Sequence, residues 1–177
     1  MEVSTPREVA LPALGLTELR RSLREEVGPV ASVQALHAAG YAAGEEYYRG
    51  FVHSASGEVG AMGTERFWRH LRRYFRQKGW GELRHEAPHP GVGLLRSTDW
   101  AEASADSETQ PSCAFTSGLL SNFLTLAAGG SVAVLEVDCV SKGSDCCSFA
   151  FGSESTIQEL YRQLLEGSSL GDALARV

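Results

Sequence analysis

The sequence predicts an α+β domain in which an antiparallel sheet packs against helices. Three observations predict this class. Hydrophobic residues recur at helical spacing through most of the chain up to Lys78. Two pairs of β-rich segments follow, and each pair is joined by a short turn that contains glycine. One amphipathic helix separates the pairs and another follows the second pair, so helices and strands are mixed without strict alternation.

Length and charge favour a single cytoplasmic domain. The chain has 177 residues, of which 43% are hydrophobic and 21% are charged, as is usual for globular proteins. We expect residues 1–15 to form a flexible leader and residues 16–177 to form one domain. The net charge of −6 argues against broad binding to nucleic acid. No apolar run approaches the roughly 18 residues of a membrane span, and the N-terminus lacks a secretory signal.

Three helices are expected in the N-terminal half. The first runs from Leu16 to Val27, and the second runs from about Pro29 to Val52. In the second helix, Gly40 and Gly44 leave a flat face for another helix or for the wall of a ligand cavity. The third helix runs from about Thr64 to Lys78 with Thr64 as its cap. Its arginine-rich face is interpreted as solvated, because charge runs on helices usually are.

Two strands and a polar link should follow. We expect strands at Gly81–Glu86 and Gly91–Thr98, with a turn at Pro88 and Pro90 between them. Residues 101–112 read as the polar link.

A helix, a hairpin and a last helix complete the chain. The fourth helix is expected at Cys113–Ala128. The hairpin pairs residues Ser131–Val140 with Cys146–Gly152. The last helix should begin at the capping box formed by Thr156 and Glu159.

Three cysteines and one glutamate occupy positions that could share a metal ion. Cys113 begins the fourth helix, Glu136 and Cys139 end one hairpin strand, and Cys147 opens the other. Zinc takes four ligands in a tetrahedron, and both thiolate and carboxylate serve. Three thiolates leave little room for a catalytic water, so such a site would be structural. The alternative is a set of small buried thiols beside an edge glutamate.

The strand geometry sets a condition on this site. Residues three apart in a straight strand point to opposite faces. Glu136 and Cys139 can therefore share a metal only if the strand bulges or ends near Asp138. By the same alternation, Cys147 shares a face with the phenylalanines that follow it, whereas Cys146 points away and is predicted to stay unligated.

The segment PSCAFTSGLLSNFLTLAAGGSVAVLEVDCVSKGSDCCSFAFG resembles the signature half of the 4-vinyl-reductase-like (hydrocarbon-binding) domain family. The resemblance extends over about residues 20–165. It implies a twisted antiparallel sheet packed with helices, similar to transport-particle tethering subunits and heme-nitric-oxide domains. In phenol- and xylene-responsive bacterial activators, the matching residues bind a structural zinc beside the effector pocket. Carried over, the zinc ligands are Cys113, Glu136, Cys139 and Cys147.

The resemblance also implies a ligand pocket and a homodimer. The phenol sensors carry aromatic residues at the positions that Ser117 and Val134 occupy. Small side chains there predict a ligand bulkier than phenol, such as a lipid, hydrocarbon or tetrapyrrole. The further candidate pocket residues are aromatic, and they are Phe115, Trp68, His70 and Trp100.

Three functions remain open at the level of sequence. The first is a sensor or carrier of a small apolar molecule that acts through dimerisation or a separate signalling partner. The second is an accessory protein or reductase in tetrapyrrole (bacteriochlorophyll) synthesis. The third is a structural adaptor. Catalysis is not expected, because no Gly-x-Gly-x-x-Gly turn for a hydride-donating dinucleotide follows a strand.

Overall fold

The computed structural model describes residues 8–56, 58–103 and 112–177. Helices and one four-stranded antiparallel sheet in these ranges confirm the predicted α+β class. The helices are α1 (Ala13–Val27), α2 (Pro29–Ser54), α3 (Thr64–Gln77), α4 (Ala114–Ala128), α5 (Glu154–Leu165) and α6 (Leu170–Leu174). The strands are β1 (Arg84–His89), β2 (Val92–Ser97), β3 (Ala133–Asp138) and β4 (Cys147–Gly152). None of the helices within these ranges combines the length and hydrophobicity needed to cross a bilayer.

The sheet has the strand order β1-β2-β4-β3, so the two hairpins join through β2 and β4. Paired residues of antiparallel strands place their side chains on the same face. One such row crosses all four strands, and its members are His85, Leu95, Phe149 and Glu136. Glu136 therefore faces the same side of the sheet as the buried Leu95 and Phe149.

Each face of the sheet covers its own hydrophobic core. On one face, Leu95 and Phe149 pack in a cluster with rings from α2, α3 and α4, which include Phe51, Phe75 and Phe123. On the other face, buried strand residues pack against α5 and α6. The sheet thus lies between two helical layers, and the row that contains Glu136 belongs to the layer with α4.

Helices α2 and α4 approach closely through glycines. A Cβ atom on Gly40 would lie 1.9 Å from the backbone oxygen of Phe115. A Cβ atom on Gly118 would lie 2.0 Å from the backbone oxygen of His37. No real side chain tolerates such distances, so another backbone, and not a ligand cavity, occupies the flat face predicted around Gly40.

The first strand lies later in the chain than predicted. The sequence predicts Gly81–Glu86 with a turn at Pro88, whereas β1 is Arg84–His89 and contains Pro88. The turn falls at residues 90–91 instead. Proline is tolerated in β1 because this strand forms an edge of the sheet, and the pairing with β2 shifts register between Glu86 and His89.

Several helix ends also differ from the predictions. Helix α1 begins three residues before Leu16. Helix α3 is preceded by Gly63 with no side-chain cap, so the cap predicted at Thr64 is wrong. The cap of α5 is Ser153, whose hydroxyl accepts a hydrogen bond from the backbone N–H of Thr156. The capping box at Thr156 is therefore wrong by three residues. Of the predicted link, residues 104–111 lie outside the described ranges, as do residues 1–7 of the predicted leader.

Candidate metal centre

Three separate elements bring the cysteines and the glutamate together. Cys113 is the residue immediately before α4, and Cys147 is the first residue of β4. Glu136 lies in β3, which ends one residue before Cys139. The pairing between β3 and β4 shifts register between Glu136 and Asp138. The condition set by the sequence is met, because a bulge and a strand end lie at the expected position.

The sulfur atoms form a triangle of the size that zinc requires. The Sγ atoms of Cys113, Cys139 and Cys147 are each 3.9 Å from the other two. Four ligands at a zinc–sulfur distance of about 2.3 Å occupy tetrahedral corners about 3.8 Å apart. All three cysteines are fully buried, and a carboxylate oxygen of Glu136 lies within 4.8 Å of every sulfur. This Cys₃Glu cluster can bind a metal ion.

The carboxylate of Glu136 supplies the fourth corner. Its Oε2 atom accepts a hydrogen bond of 2.8 Å from the backbone N–H of Cys113. Its Oε1 atom is buried and has no hydrogen-bond partner among the described residues. An unpaired buried acceptor of this kind destabilises a fold by about 1–3 kcal/mol unless something binds it. A cation at the centre of the cluster would be that partner, so the donor set fits a metal.

The ionisation of the four groups is strongly perturbed. Donation of its thiol hydrogen to Cys139 raises the pKa of Cys113 well above its ordinary value. Thiol donation from Cys113 and Cys147 lowers the pKa of Cys139. A hydrogen bond with Cys113 lowers the pKa of Cys147, but donation to Cys139 and burial outweigh it and raise the value to about 12. Burial and the charge of Cys139 raise the pKa of Glu136. A bound cation would stabilise the ionised form of every one of these groups.

Two neighbouring side chains bear on the cluster. The hydroxyl of Ser112 lies 3.5 Å from the sulfur of Cys139 and donates to Ser141, which fixes its position. Cys146 lies outside the cluster, as strand alternation predicts. Its sulfur is half-buried and lies 3.5 Å from the hydroxyl of Ser148.

Glu102 orients the start of α4, and sequence analysis missed it. The carboxylate is 2% exposed and accepts hydrogen bonds from the backbone N–H groups of Phe115 and Thr116 and from the Thr116 hydroxyl. It thereby satisfies backbone donors that a helix leaves unpaired in its first turn. Trp100 donates from Nε1 to the same Thr116 hydroxyl at 2.7 Å. The usual signal, a capping residue directly before the helix, is absent because Glu102 acts from eleven positions upstream of Cys113.

Replacement of Glu102 by glutamine is expected to change how stability depends on pH. Burial raises the pKa of Glu102 to about 7, against the opposing hydrogen bonds from Thr116 and Phe115. A carboxyl whose pKa is raised on folding stabilises the fold below its unfolded pKa and loses that stabilisation as pH rises through the folded pKa. Relative to E102Q, the wild type should therefore lose about 2–3 kcal/mol of unfolding free energy between pH 4.5 and pH 8. Urea unfolding of both proteins across this range measures the difference, and parallel curves would contradict the assignment.

The candidate pocket residues fall into separate groups. Phe115 and Trp100 both stack on Trp80, with ring centroids 5.8 Å and 5.5 Å away. Ser117 is buried one turn into α4, where its hydroxyl donates to the backbone oxygen of Cys113. These three residues lie beside the metal cluster.

Trp68 and Val134 lie farther along the same face of the sheet. Val134 pairs with Phe151 on the neighbouring strand, and the Phe151 ring lies 5.5 Å from Trp68. Trp68 also stacks parallel to His85 with ring centroids 4.0 Å apart. The Nε1 atom of Trp68 is buried and has no partner among the described residues. His70 joins neither group, because it lines a surface cleft between α2 and α3.

Comparison with known families decides how this fold is classified. Residues 99–153 match the family model of the 4-vinyl-reductase domain. The predicted resemblance is confirmed. The segment that matches the 4-vinyl-reductase domain contains all four residues of the cluster. No curated protein matches the chain.

Two solved structures share the fold. The phenol-responsive sensory domain of the transcription activator PoxR, solved with phenol, superposes with a TM-score of 0.64 at 15% identity and covers 88% of this chain and 83% of that chain. A vinyl-4-reductase family protein from Methanocaldococcus jannaschii gives a TM-score of 0.51 at 18% identity and covers 84% of each chain. At these identities the likeness establishes the architecture of the 4-vinyl-reductase domain and leaves its ligand open.

Proposed function

We propose that this 4-vinyl-reductase-like domain is a zinc-stabilised sensor or carrier of a small apolar or aromatic molecule. The observation that carries the proposal is the buried Cys₃Glu cluster at the start of α4, with an unpaired carboxylate oxygen inside it. The family match and the shared fold with a phenol-responsive sensory domain support the same function.

The donor set favours zinc over harder cations. Magnesium and calcium take oxygen ligands, whereas three thiolates suit zinc. Cys113, Glu136, Cys139 and Cys147 would hold the ion, which would join the start of α4 to both strands of the hairpin. The thiols must be reduced to act as ligands, which is consistent with the cytoplasm.

The aromatic groups beside the cluster provide the proposed ligand site. Trp68 Nε1 is a buried hydrogen-bond donor without a partner among the described residues, next to Phe151 and the small side chain of Val134. A ligand with one polar atom would accept that hydrogen bond and place its apolar part against the rings. Small-molecule sites commonly combine an apolar wall with few polar groups in this way.

The ligand is expected to act through a second chain. Apolar side chains are exposed along the first two helices, and they include Leu14, Leu19, Val30 and Val33. Burial of such residues against a second copy would stabilise a homodimer. Ligand binding would then shift the dimer, or a separate signalling partner, through its different affinity for the two states.

Native mass spectrometry of the untreated protein tests the proposal first. We expect one zinc ion per chain and a dimer, and both should be lost together with fold stability after treatment with a chelator. A metal-free protein purified under reducing, zinc-replete conditions would contradict the zinc assignment.

Titration of two phenols by calorimetry tests the ligand site. We expect 4-pentylphenol to bind at least about tenfold more tightly than phenol, because each buried methylene contributes about 0.8 kcal/mol. Trp68→Phe should weaken the binding of 4-pentylphenol, since it removes the N–H and keeps an aromatic ring. Trp80→Phe is the matched control, because the Trp80 N–H already donates to Tyr47. Phenol binding as tight as that of 4-pentylphenol, or equal effects of the two variants, would contradict the proposal.

A further inference from the structure

A cleft between α2 and α3 collects positive charge. It lies between the C-terminal end of α2 and the first turns of α3 and has a volume of about 580 Å³. Three arginines that share one face of α3 line it, and they are Arg66, Arg69 and Arg73. No described side chain in the lining carries a carboxylate. The chain as a whole has a net charge of −6, so this concentration of guanidinium groups runs against the average.

A buried histidine anchors one of the arginines. His70 is 6% exposed, and its Nδ1 atom lies 2.6 Å from an Nη atom of Arg73. The hydroxyl of Ser54 donates to the backbone oxygen of Phe51, so its oxygen accepts from Nε2 of His70 at 2.9 Å. Nε2 therefore carries the proton, and Nδ1 is free to accept from Arg73. Burial and the nearby charge of Arg73 lower the pKa of His70, which agrees with a neutral ring.

This arrangement orients a guanidinium without neutralising it. An arginine fixed by a carboxylate loses most of its attraction for an anion, whereas Arg73 is fixed by a neutral imidazole. Arg69 has only a long contact of 3.6 Å with Glu65 at the exposed rim of the helix. Arginine recognises oxyanions through paired, parallel N–H groups, and phosphate matches that geometry. The cleft volume lies in the usual range for small-molecule sites, and Ala55 and Met62 add an apolar wall.

We infer that the cleft between α2 and α3 binds a small organic phosphate, with Arg69 and Arg73 on the phosphate group and Met62 against the carbon part. This site is separate from the metal cluster and goes beyond the proposed function. A concave site with three arginines on a single helix suits a compact anion, and the acidic remainder of the chain disfavours a long nucleic-acid backbone.

Calorimetric titration of the full chain at 150 mM NaCl tests the inference, with phenyl phosphate and inorganic phosphate as probes. Both probes should bind saturably at one site per chain, and phenyl phosphate should bind more tightly because it also covers the apolar wall. Arg73→Gln should weaken phenyl phosphate binding by at least about tenfold, the loss expected for a charged hydrogen-bond pair.

A matched pair of variants on the same helix guards against effects on folding or on net charge. Arg69 and Arg76 are each 71% exposed, but only Arg69 lines the cleft, and Arg76 pairs with Glu82. Arg69→Gln should weaken binding severalfold, whereas Arg76→Gln should change it by less than about twofold. Absence of saturable binding by both probes would overturn the inference, as would equal losses in the Arg69 and Arg76 variants. Tight RNA binding that phenyl phosphate fails to displace would also overturn it.

Discussion

Cys147→Ser is expected to abolish metal binding and to lower the free energy of unfolding by at least about 3 kcal/mol. The sulfur of Cys147 is one corner of the triangle, at 3.9 Å from each of the other two. Serine is nearly the same size, so the loss reflects the ligand and not a cavity. Metal content by native mass spectrometry and urea unfolding of the same sample measure the two effects.

The neighbouring cysteine provides a matched control. Cys146→Ser makes the same chemical change one residue earlier, at a half-buried side chain outside the cluster. It should keep the metal and alter stability by no more than about 0.5 kcal/mol. In the presence of a chelator, the wild type should unfold at the same urea concentration as Cys147→Ser. If the two proteins still differ without metal, the stabilisation does not come from the ion.

Gly40→Ala should destabilise the fold by at least about 3 kcal/mol, through a different mechanism. The new methyl group would lie 1.9 Å from the backbone oxygen of Phe115, and neither backbone can yield without separating α2 from α4. Because α4 starts directly after Cys113, this separation should also weaken the metal site. Urea unfolding and metal content are the measurements.

A second glycine within a helix shows what the same substitution does where space exists. The position of a Cβ atom on Gly171 in α6 is 4.0 Å from its nearest neighbour, the hydroxyl oxygen of Ser169. Gly171→Ala should leave stability unchanged or raise it by up to about 1 kcal/mol, because alanine favours helix. A Gly40→Ala variant as stable as Gly171→Ala would show that α2 and α4 are not held at the observed distance.

The sequence carries enough information to predict the metal cluster because its chemistry is local. The hairpin brings Cys139 and Cys147 together, and strand alternation requires a bulge near Asp138, which the structure contains. Cys146 could be set aside by the same alternation. The helices with clear hydrophobic periodicity were also predictable, and only their ends moved by a few residues.

Features that depend on distant contacts were not predictable. Glu102 orients α4 from the far side of a polar link, and no spacing rule connects the two. Helix α6 has five residues, which is too short for a periodic signal. The start of β1 depends on its pairing with β2, and Pro88 is tolerated only because that strand lies at an edge. The basic cleft required knowledge of how His70 and Arg73 meet across α2 and α3.

All four residues of the cluster lie within the single stretch from Cys113 to Cys147. The centre can therefore be inherited as one block, while the helices that precede it are free to diverge as long as they keep their packing. This accounts for a family match confined to residues 99–153 within a chain whose architecture is shared over 88% of its length. New ligand specificities can evolve in the first half of such proteins without disturbing the part that pins the sheet to its helix.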